Sequence, residues 1–400
     1  VRLRRMAEGP IYLDYNATTP VDPAVAAAML PYLQEHFGNP SSAHPYGVKT
    51  RSAVEKARAQ VAALIGARPE EIVLTSGGSE SNNTVILCLA HSLQDKGRHI
   101  ITSAVEHPAV LEPCHALERE GFRVTLVPVD GVGRVDPTEV ARAITPETVL
   151  ITIMHANNEV GTIQPVAEIS ALARQHGILL HTDAAQSAGK IPVDVDDLGV
   201  DFLTIAGHKL YAPKGVGALY IRTGRELPSL IHGAGHEGGR RAGTENVLLD
   251  VGLGKAAELA TERLTDAAAH SARLRDRLWE ALGSANPSCR RNGDPEHGLP
   301  NTLSVSFPNV DATTLLAEID DRVAASAGAA CHAEGVDLST VLEAMRVPLE
   351  YAMGTVRLSL GRATTEAEVD RAAEVLSAAV ERLTGTAPVI FDTSSEGEEF

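Results

Sequence analysis

Over the first two-thirds of the chain, short runs of Val, Ile and Leu alternate with stretches whose apolar residues recur every three or four positions. The short runs predict strands at 71–75, 98–102, 123–127, 149–153, 177–182, 202–206 and 216–221. Most are continuously apolar, as in strands covered on both faces. Helices fit between them at 24–35, 49–65, 80–95, 109–120, 137–143 and 166–176. Strands that alternate with helices in this way predict an α/β fold with a mainly parallel sheet.

After about Gly254 the pattern changes. A long Ala/Arg/Leu helix is expected over 255–282, followed by a loop rich in Asn, Pro and Gly. Strands at 302–306, 323–327 and 356–360 and helices at 313–320, around 338–345 and at 365–383 make an α+β region. The expected division is a large domain over 21–254, a small one from 1–20 plus 255–384, and an acidic, disordered tail over 385–400.

Composition narrows the partners. The formal charge of −17, from 52 acids against 35 bases, argues against nucleic acid or an anionic membrane surface and favours a small-molecule substrate. No run approaches about 18 apolar residues, so no membrane span is expected, and the basic start lacks the apolar core of a secretory signal. Cys88, Cys114, Cys289 and Cys331 form no Cys-x-x-Cys pair. The expectation is a reduced cytoplasmic protein with neither a disulfide framework nor a metal.

Three segments at the carboxyl ends of predicted strands carry candidate chemistry, at the edge where open α/β sheets bind ligands. Asp183 closes an apolar strand in Leu179-Leu180-His181-Thr182-Asp183, where an unpaired carboxylate would be costly. Alone it reads as readily as a helix N-cap. Gln186 follows three residues on. Lys209 closes the next strand, in Thr204-Ile205-Ala206-Gly207-His208-Lys209, and alone it reads as a surface lysine. The turn Thr75-Ser76-Gly77-Gly78-Ser79 opens a helix and presents free N–H groups to an anion, with His208 as a further donor. His107 follows another strand and is placed to stack on a ring. A lysine amine, a carboxylate for a pyridinium nitrogen and a phosphate cradle are the parts that pyridoxal 5'-phosphate (PLP) requires.

Further motifs stand in order along the chain: Tyr12-Leu13-Asp14-Tyr15-Asn16-Ala17-Thr18-Thr19-Pro20, Gly38-Asn39-Pro40-Ser41-Ser42, Ala156-Asn157-Asn158-Glu159-Val160-Gly161, Arg240-Arg241-Ala242-Gly243-Thr244-Glu245-Asn246 and Val356-Arg357-Leu358-Ser359-Leu360-Gly361-Arg362. With these, residues 11 to about 383 resemble the class V aminotransferase-fold enzymes, in particular the cysteine desulfurase and selenocysteine lyase group. The resemblance implies the aspartate aminotransferase-like fold type I of PLP-dependent transferases and a set of roles. Lys209 would bear PLP, Asp183 pair the ring nitrogen, Gln186 contact the ring oxygen and His107 stack on the ring. Gly78, Ser79 and His208 would hold the phosphate, and Thr244 would reach the phosphate of a second subunit, which implies a homodimer. Asn158 and Arg357 match the positions that bind the substrate carboxylate, a task suited to a guanidinium fork. One departure is Ala206, where many desulfurases have Ser, which removes a hydroxyl from the phosphate cradle.

Cys331 lies in Ala325-Ser326-Ala327-Gly328-Ala329-Ala330-Cys331-His332-Ala333-Glu334-Gly335, a small and polar run expected to be a mobile loop. A buried structural thiol is the ordinary reading of a lone cysteine. The resemblance makes Cys331 the nucleophile that takes sulfur from L-cysteine as a persulfide, leaving L-alanine, with Lys209 as the base at Cα and a sulfur-acceptor protein downstream. Cys88 and Cys114, in helical patterns, read as structural. The run Gly328-Ala329-Ala330-Cys331-His332 looks more like selenocysteine lyases, whereas Pro108 after His107 is common in desulfurases. Release of selenide from L-selenocysteine is therefore the alternative activity. A class V transaminase would leave Cys331 without a role, and a non-catalytic sulfur-carrier partner or scaffold would not need Asp183, Lys209, His107 and Arg357 together.

Overall fold

The computed structural model describes residues 9–332 and 335–385, giving the backbone alone for 329–332 and 335–337. The tail expected over 385–400 lies outside the described residues from 386 onward. The chain opens with a two-residue strand, β1 (Ile11–Tyr12).

Seven strands then form one sheet: β2 (Ile72–Thr75), β3 (His99–Ser103), β4 (Arg123–Val127), β5 (Thr148–Thr152), β6 (Leu179–Asp183), β7 (Phe202–Ala206) and β8 (Gly217–Ile221). Their order is β2-β8-β7-β6-β5-β3-β4. Neighbours from β7 through to β4 pair in parallel, and β8 runs antiparallel to both β7 and β2. The carboxyl ends of β2, β3, β5, β6 and β7 therefore share one edge of the sheet. Each predicted strand is found within a residue or two of its expected limits.

Two buried side-chain clusters cover the faces of this sheet. One contains Ile101, Ile151, Leu180, Leu203 and Ile205, and the other Val73, Ile100, Leu150, Phe202 and Leu219. Successive residues of a strand point to opposite faces, so burial on both explains the continuously apolar sequences. At roughly 2 kcal/mol for each fully buried Leu, Ile or Phe, such layers dominate the favourable side of folding.

The remaining strands are β9 (Arg290–Asn292), β10 (Thr302–Ser306), β11 (Val323–Ala324), β12 (Ser326–Ala327), β13 (Ala329–His332), β14 (Gly335–Leu338) and β15 (Thr355–Ser359). Four of them form an antiparallel sheet in the order β12-β15-β10-β9. It has its own core, with Leu303, Val305, Val356, Leu358 and Leu376. β1 pairs with β11 in parallel and Asp14 bridges Ser359, so the N-terminal segment is laid along this second sheet.

Several boundaries differ from expectation. The long helix spans Val247–Ala285 and begins eight residues before 255, with the Asn246 side chain accepting from the Leu249 N–H as its cap. Gly252 and Gly254, unfavourable inside a helix by propensity, here serve close packing. A Cβ on Gly254 would stand 2.5 Å from Ala57 Cα, so helix 247–285 can lie directly on helix Pro45–Leu64. The strand expected over 323–327 is split at Ala325 into β11 and β12. The segment expected as a mobile loop around Cys331 is a hairpin instead: β13 pairs antiparallel with β14, and Cys331 stands opposite Val336.

Candidate functional site

The shared carboxyl edge of the large sheet opens into a cavity of about 410 Å³. Strand β7, fully buried, runs into a 3-10 turn over Gly207–Lys209, which turns Lys209 into the cavity. Its ammonium donates to the backbone carbonyls of Asn16 and of Ala17, the latter at 2.7 Å. Burial, reinforced by the nearby Arg357 charge, lowers the Lys209 pKa to about 8. His208 also lines the cavity, with Nδ1 3.2 Å from Thr18 Oγ1. Burial and the charge of Lys209 lower its pKa to about 4.

Asp183 ends β6 on the neighbouring strand, where it pairs with Thr204 of β7. Its carboxylate is buried at the cavity wall. Oδ2 accepts from Asn82 Nδ2 at 2.6 Å and Oδ1 from the Ala185 N–H at 2.9 Å. No helix follows immediately, so Asp183 is not the N-cap that its position allowed. Gln186 is held on both sides of its amide: Oε1 accepts from Lys190 Nζ at 2.6 Å, and Nε2 donates to the Asn16 carbonyl at 3.0 Å. Burial, with Lys209 and Arg357 nearby, pushes the Lys190 pKa well down.

The turn after β2 places Gly78 and Ser79 at the start of helix Gly78–Leu93. The first N–H groups of a helix have no partner within it, so these face the cavity as anion donors. The turn sits tightly against β8: a Cβ on Gly217 would stand 2.7 Å from Gly77 Cα. His107 caps helix Pro108–Arg119, its Nδ1 accepting from the Ala109 N–H at 3.1 Å. That bond leaves the proton on Nε2. Burial and Lys209 lower the His107 pKa, opposed by Asp183. The preceding Glu106 is fully enclosed, receives the Ser103 hydroxyl at 2.6 Å and the Met154 N–H at 2.9 Å, and is raised to about 8 by burial.

The second sheet supplies the opposite wall. Arg357 projects from the middle of β15 and lines the cavity with Asn158. Its Nη2 donates to Asp14 Oδ1 at 2.8 Å and to Ser326 Oγ at 2.9 Å, and its Nη1 to the Asn158 carbonyl at 3.1 Å.

The cavity thus gathers Lys209, Asp183, Gln186, His208, Gly78 and Ser79. His107, Asn158 and Arg357 line it as well. Thr244 does not: it is exposed, in a segment tied to the helix start at Gly78 through the Arg241–Glu80 ion pair at 2.9 Å. The side chain of Cys331 lies outside the described residues. Cys88 and Cys114 are buried in helices, and burial raises both thiols, Cys114 to about 12. His232 and His236 have a four-residue spacing that would suit a metal on a helix, but His232 lies outside any helix and His236 opens a short, kinked 3-10 turn. Among the described residues no cluster of His, Cys, Asp and Glu could hold a metal ion.

Sequence reasoning assigned no role to Asn16, Asn82, Lys190 or Asp14. Asn16 is a hub: its Nδ2 donates to Thr302 Oγ1 at 2.8 Å, its Oδ1 accepts from Lys190 Nζ and Asn301 Nδ2, each at 3.0 Å, and its carbonyl faces Gln186 and Lys209. The one available signal was its place in the motif at 12–20.

The mainly parallel sheet, the lysine and carboxylate at adjacent strand ends and the helix start facing them define the fold of PLP-dependent transferases. Residues 11–372 match the family model described as Aminotransferase class-V, and the chain belongs to that family. It is 48% identical over 379 residues to Cysteine desulfurase IscS of Dictyoglomus turgidum, covering 94% of this chain and 96% of that protein. Among solved structures, a NifS-like protein superposes with a TM-score of 0.86 at 40% identity, covering 94% of this chain and all (100%) of that one. The structure titled SspA in complex with cysteine matches with a TM-score of 0.78 at 40% identity, over 88% of this chain and 99% of that one. No helix among the described residues is long and apolar enough to cross a membrane.

Proposed function

We propose that the protein is a PLP-dependent cysteine desulfurase that converts L-cysteine to L-alanine and takes up the sulfur as a persulfide on Cys331. The observation that carries this reading is the presence, on one cavity, of a lysine with a lowered pKa, a buried carboxylate on the adjacent strand end and an arginine opposite them. The relatives named cysteine desulfurase support it across nearly the whole chain.

The residues fit PLP. Asp183 supplies the carboxylate that keeps a ring nitrogen protonated, and Asn82 orients it. Gly78, Ser79 and His208 offer donors to a phosphate, and Gln186, its amide held by Lys190 and by the Asn16 carbonyl, offers its second N–H to the ring oxygen. PLP, when bound, supplies an electron sink for chemistry at the substrate Cα. Lys209 holds the cofactor and then takes the Cα proton, a role suited to an amine titrating near 8. Arg357 and Asn158 fix the substrate carboxylate, and His107 stacks on the ring. The Cys331 thiolate attacks the substrate sulfur, so that the Cβ–S bond breaks, an S–S bond forms, and the carbon skeleton leaves as alanine. Balance is complete: cysteine and a thiol give alanine and a persulfide. The two-domain division near residue 254, a homodimer in which Thr244 reaches the second subunit's phosphate, and a sulfur-acceptor protein belong to the same proposal.

The test is direct. Purified protein is expected to absorb in the visible through cofactor joined to Lys209, and Lys209→Ala to lose that band. Incubation with L-cysteine is expected to add one sulfur to Cys331 by mass spectrometry, and Cys331→Ala to keep the band but form no persulfide. A colourless native protein, or undiminished desulfuration by Cys331→Ala, would overturn the reading. Parallel rates on L-selenocysteine decide between sulfur and selenium.

A further inference from the structure

Arg357 already holds a carboxylate. Its Nη2 donates to Asp14 Oδ1 at 2.8 Å, and the Ser326 hydroxyl, which accepts from the same Nη2 at 2.9 Å, donates to that Asp14 oxygen at 2.9 Å. The two side chains are largely enclosed, at 12% and 19% exposure. Arg357 Nε is buried and has no acceptor among the described residues.

A guanidinium grips a carboxylate with two parallel N–H groups, from Nε with Nη2 or from Nη1 with Nη2. Both edges include Nη2, the nitrogen that Asp14 and Ser326 occupy. A ligand carboxylate must therefore contend with Asp14 for it, and the unpaired Nε marks an edge with one place unfilled. Charge points the same way. Asp14 offsets the attraction of Arg357 and repels a second carboxylate a few ångströms away.

We propose that Asp14 is an internal stand-in for the substrate carboxylate: it occupies Arg357 in the empty site and sets the affinity that an amino-acid substrate must exceed to displace it. This rests on the reading of Arg357 as the carboxylate anchor. The displacement requires only a side-chain swing. The Asp14 backbone is fixed independently, by its bridge to Ser359 and by its carbonyl, which accepts from the Tyr12 hydroxyl at 3.0 Å and the Ala17 N–H at 3.0 Å. Asp14 is then a specificity-setting residue that acts through Arg357.

The alternative, that Asp14 merely props Arg357 in place, predicts the opposite sign. Holoenzyme is titrated with L-alanine, which carries the carboxylate and amine but no sulfur, and followed by its visible spectrum. Asp14→Asn is expected to tighten binding on the order of tenfold and to lower KM for L-cysteine without raising kcat. Affinity for 2-aminoethanethiol, which lacks the carboxylate, is expected to stay the same. Asp14→Ser is expected to change L-alanine affinity in the same direction. If both variants bind L-alanine equally or more weakly while Arg357→Ala also weakens it, the anchor stands and the stand-in proposal falls. If Arg357→Ala leaves L-alanine binding unchanged, the anchor reading itself fails.

Discussion

The two walls of the cavity are built by different means. On the large-sheet side, Asp183 ends β6 and Lys209 follows β7 by one 3-10 turn, so adjacent buried strands place both side chains. On the second-sheet side, Arg357 is aimed by side chains brought from far along the chain, with Asp14 343 residues away and Ser326 31 residues away. On the first wall Lys209 is held by neutral backbone carbonyls, and on the second Arg357, itself carried by a strand, is held by a charged side chain. A group held by backbone has little freedom to exchange partners, whereas one held by an ion pair can trade one carboxylate for another. That contrast suits a permanent cofactor on one wall and a passing substrate on the other.

The largest effect is expected where the backbone-set wall loses its charge. On the proposed reading Asp183→Ala removes the buried partner of a cationic ring nitrogen, and breaking a buried pair costs about 3–5 kcal/mol. Activity is expected to fall by roughly two to four orders of magnitude, with a shifted visible spectrum but with cofactor still joined to Lys209. An equally active Asp183→Ala would show that this wall does not set the cofactor's electronics.

A second prediction concerns pH. Burial lowers Lys209 from the usual 10.5 to about 8, so its amine is half neutral near that pH. Only the neutral amine can attack an aldehyde. Loading of apo-protein with PLP is therefore expected to quicken about tenfold per pH unit up to about 8 and then level off. A rate that keeps climbing toward pH 10 would mean that the site does not depress this lysine.

What was legible in the sequence follows the same divide. Strand β6 and strand β7 announce themselves by local apolar runs, and the residues that end them follow at once, so Asp183 and Lys209 were readable by position. Asp14 and Lys190 were not: Arg357 stands 343 residues from Asp14, and Lys190, although only four residues from Gln186, lies in a turn where no helical spacing ties the two together. Lys190 sits in a turn like many others, and only the folded chain brings its ammonium to Asn16, 174 residues away. The early start of the long helix was hidden for a related reason. Gly252 and Gly254 weaken helical propensity locally, and the packing against Met29 and Ala57 that favours them is tertiary. The paired strands β13 and β14 have few β-branched residues to mark them, so their small side chains read as loop.

Lys190 offers the smallest and most discriminating test of the backbone-set wall. Its ammonium donates to Gln186 Oε1 at 2.6 Å and to Asn16 Oδ1 at 3.0 Å, and burial disfavours its charge. Replacing a costly buried charge with an apolar chain of similar length need not destabilise the fold, and Asn16 Oδ1 keeps Asn301 as a donor. Lys190→Met is therefore expected to leave the melting temperature within a few degrees of the parent. It would leave the Gln186 amide held on one side alone, by the Asn16 carbonyl at 3.0 Å, so that on the proposed reading its N–H is less firmly aimed at the ring oxygen. PLP retention, measured by the rate at which cofactor is lost on dilution, is expected to worsen by about tenfold, the worth of one hydrogen bond to a charged group. Lys190→Arg, which keeps a donor, is expected to recover part of that loss. If Lys190→Met unfolds more readily but retains cofactor as the parent does, Lys190 supports the fold and not Gln186.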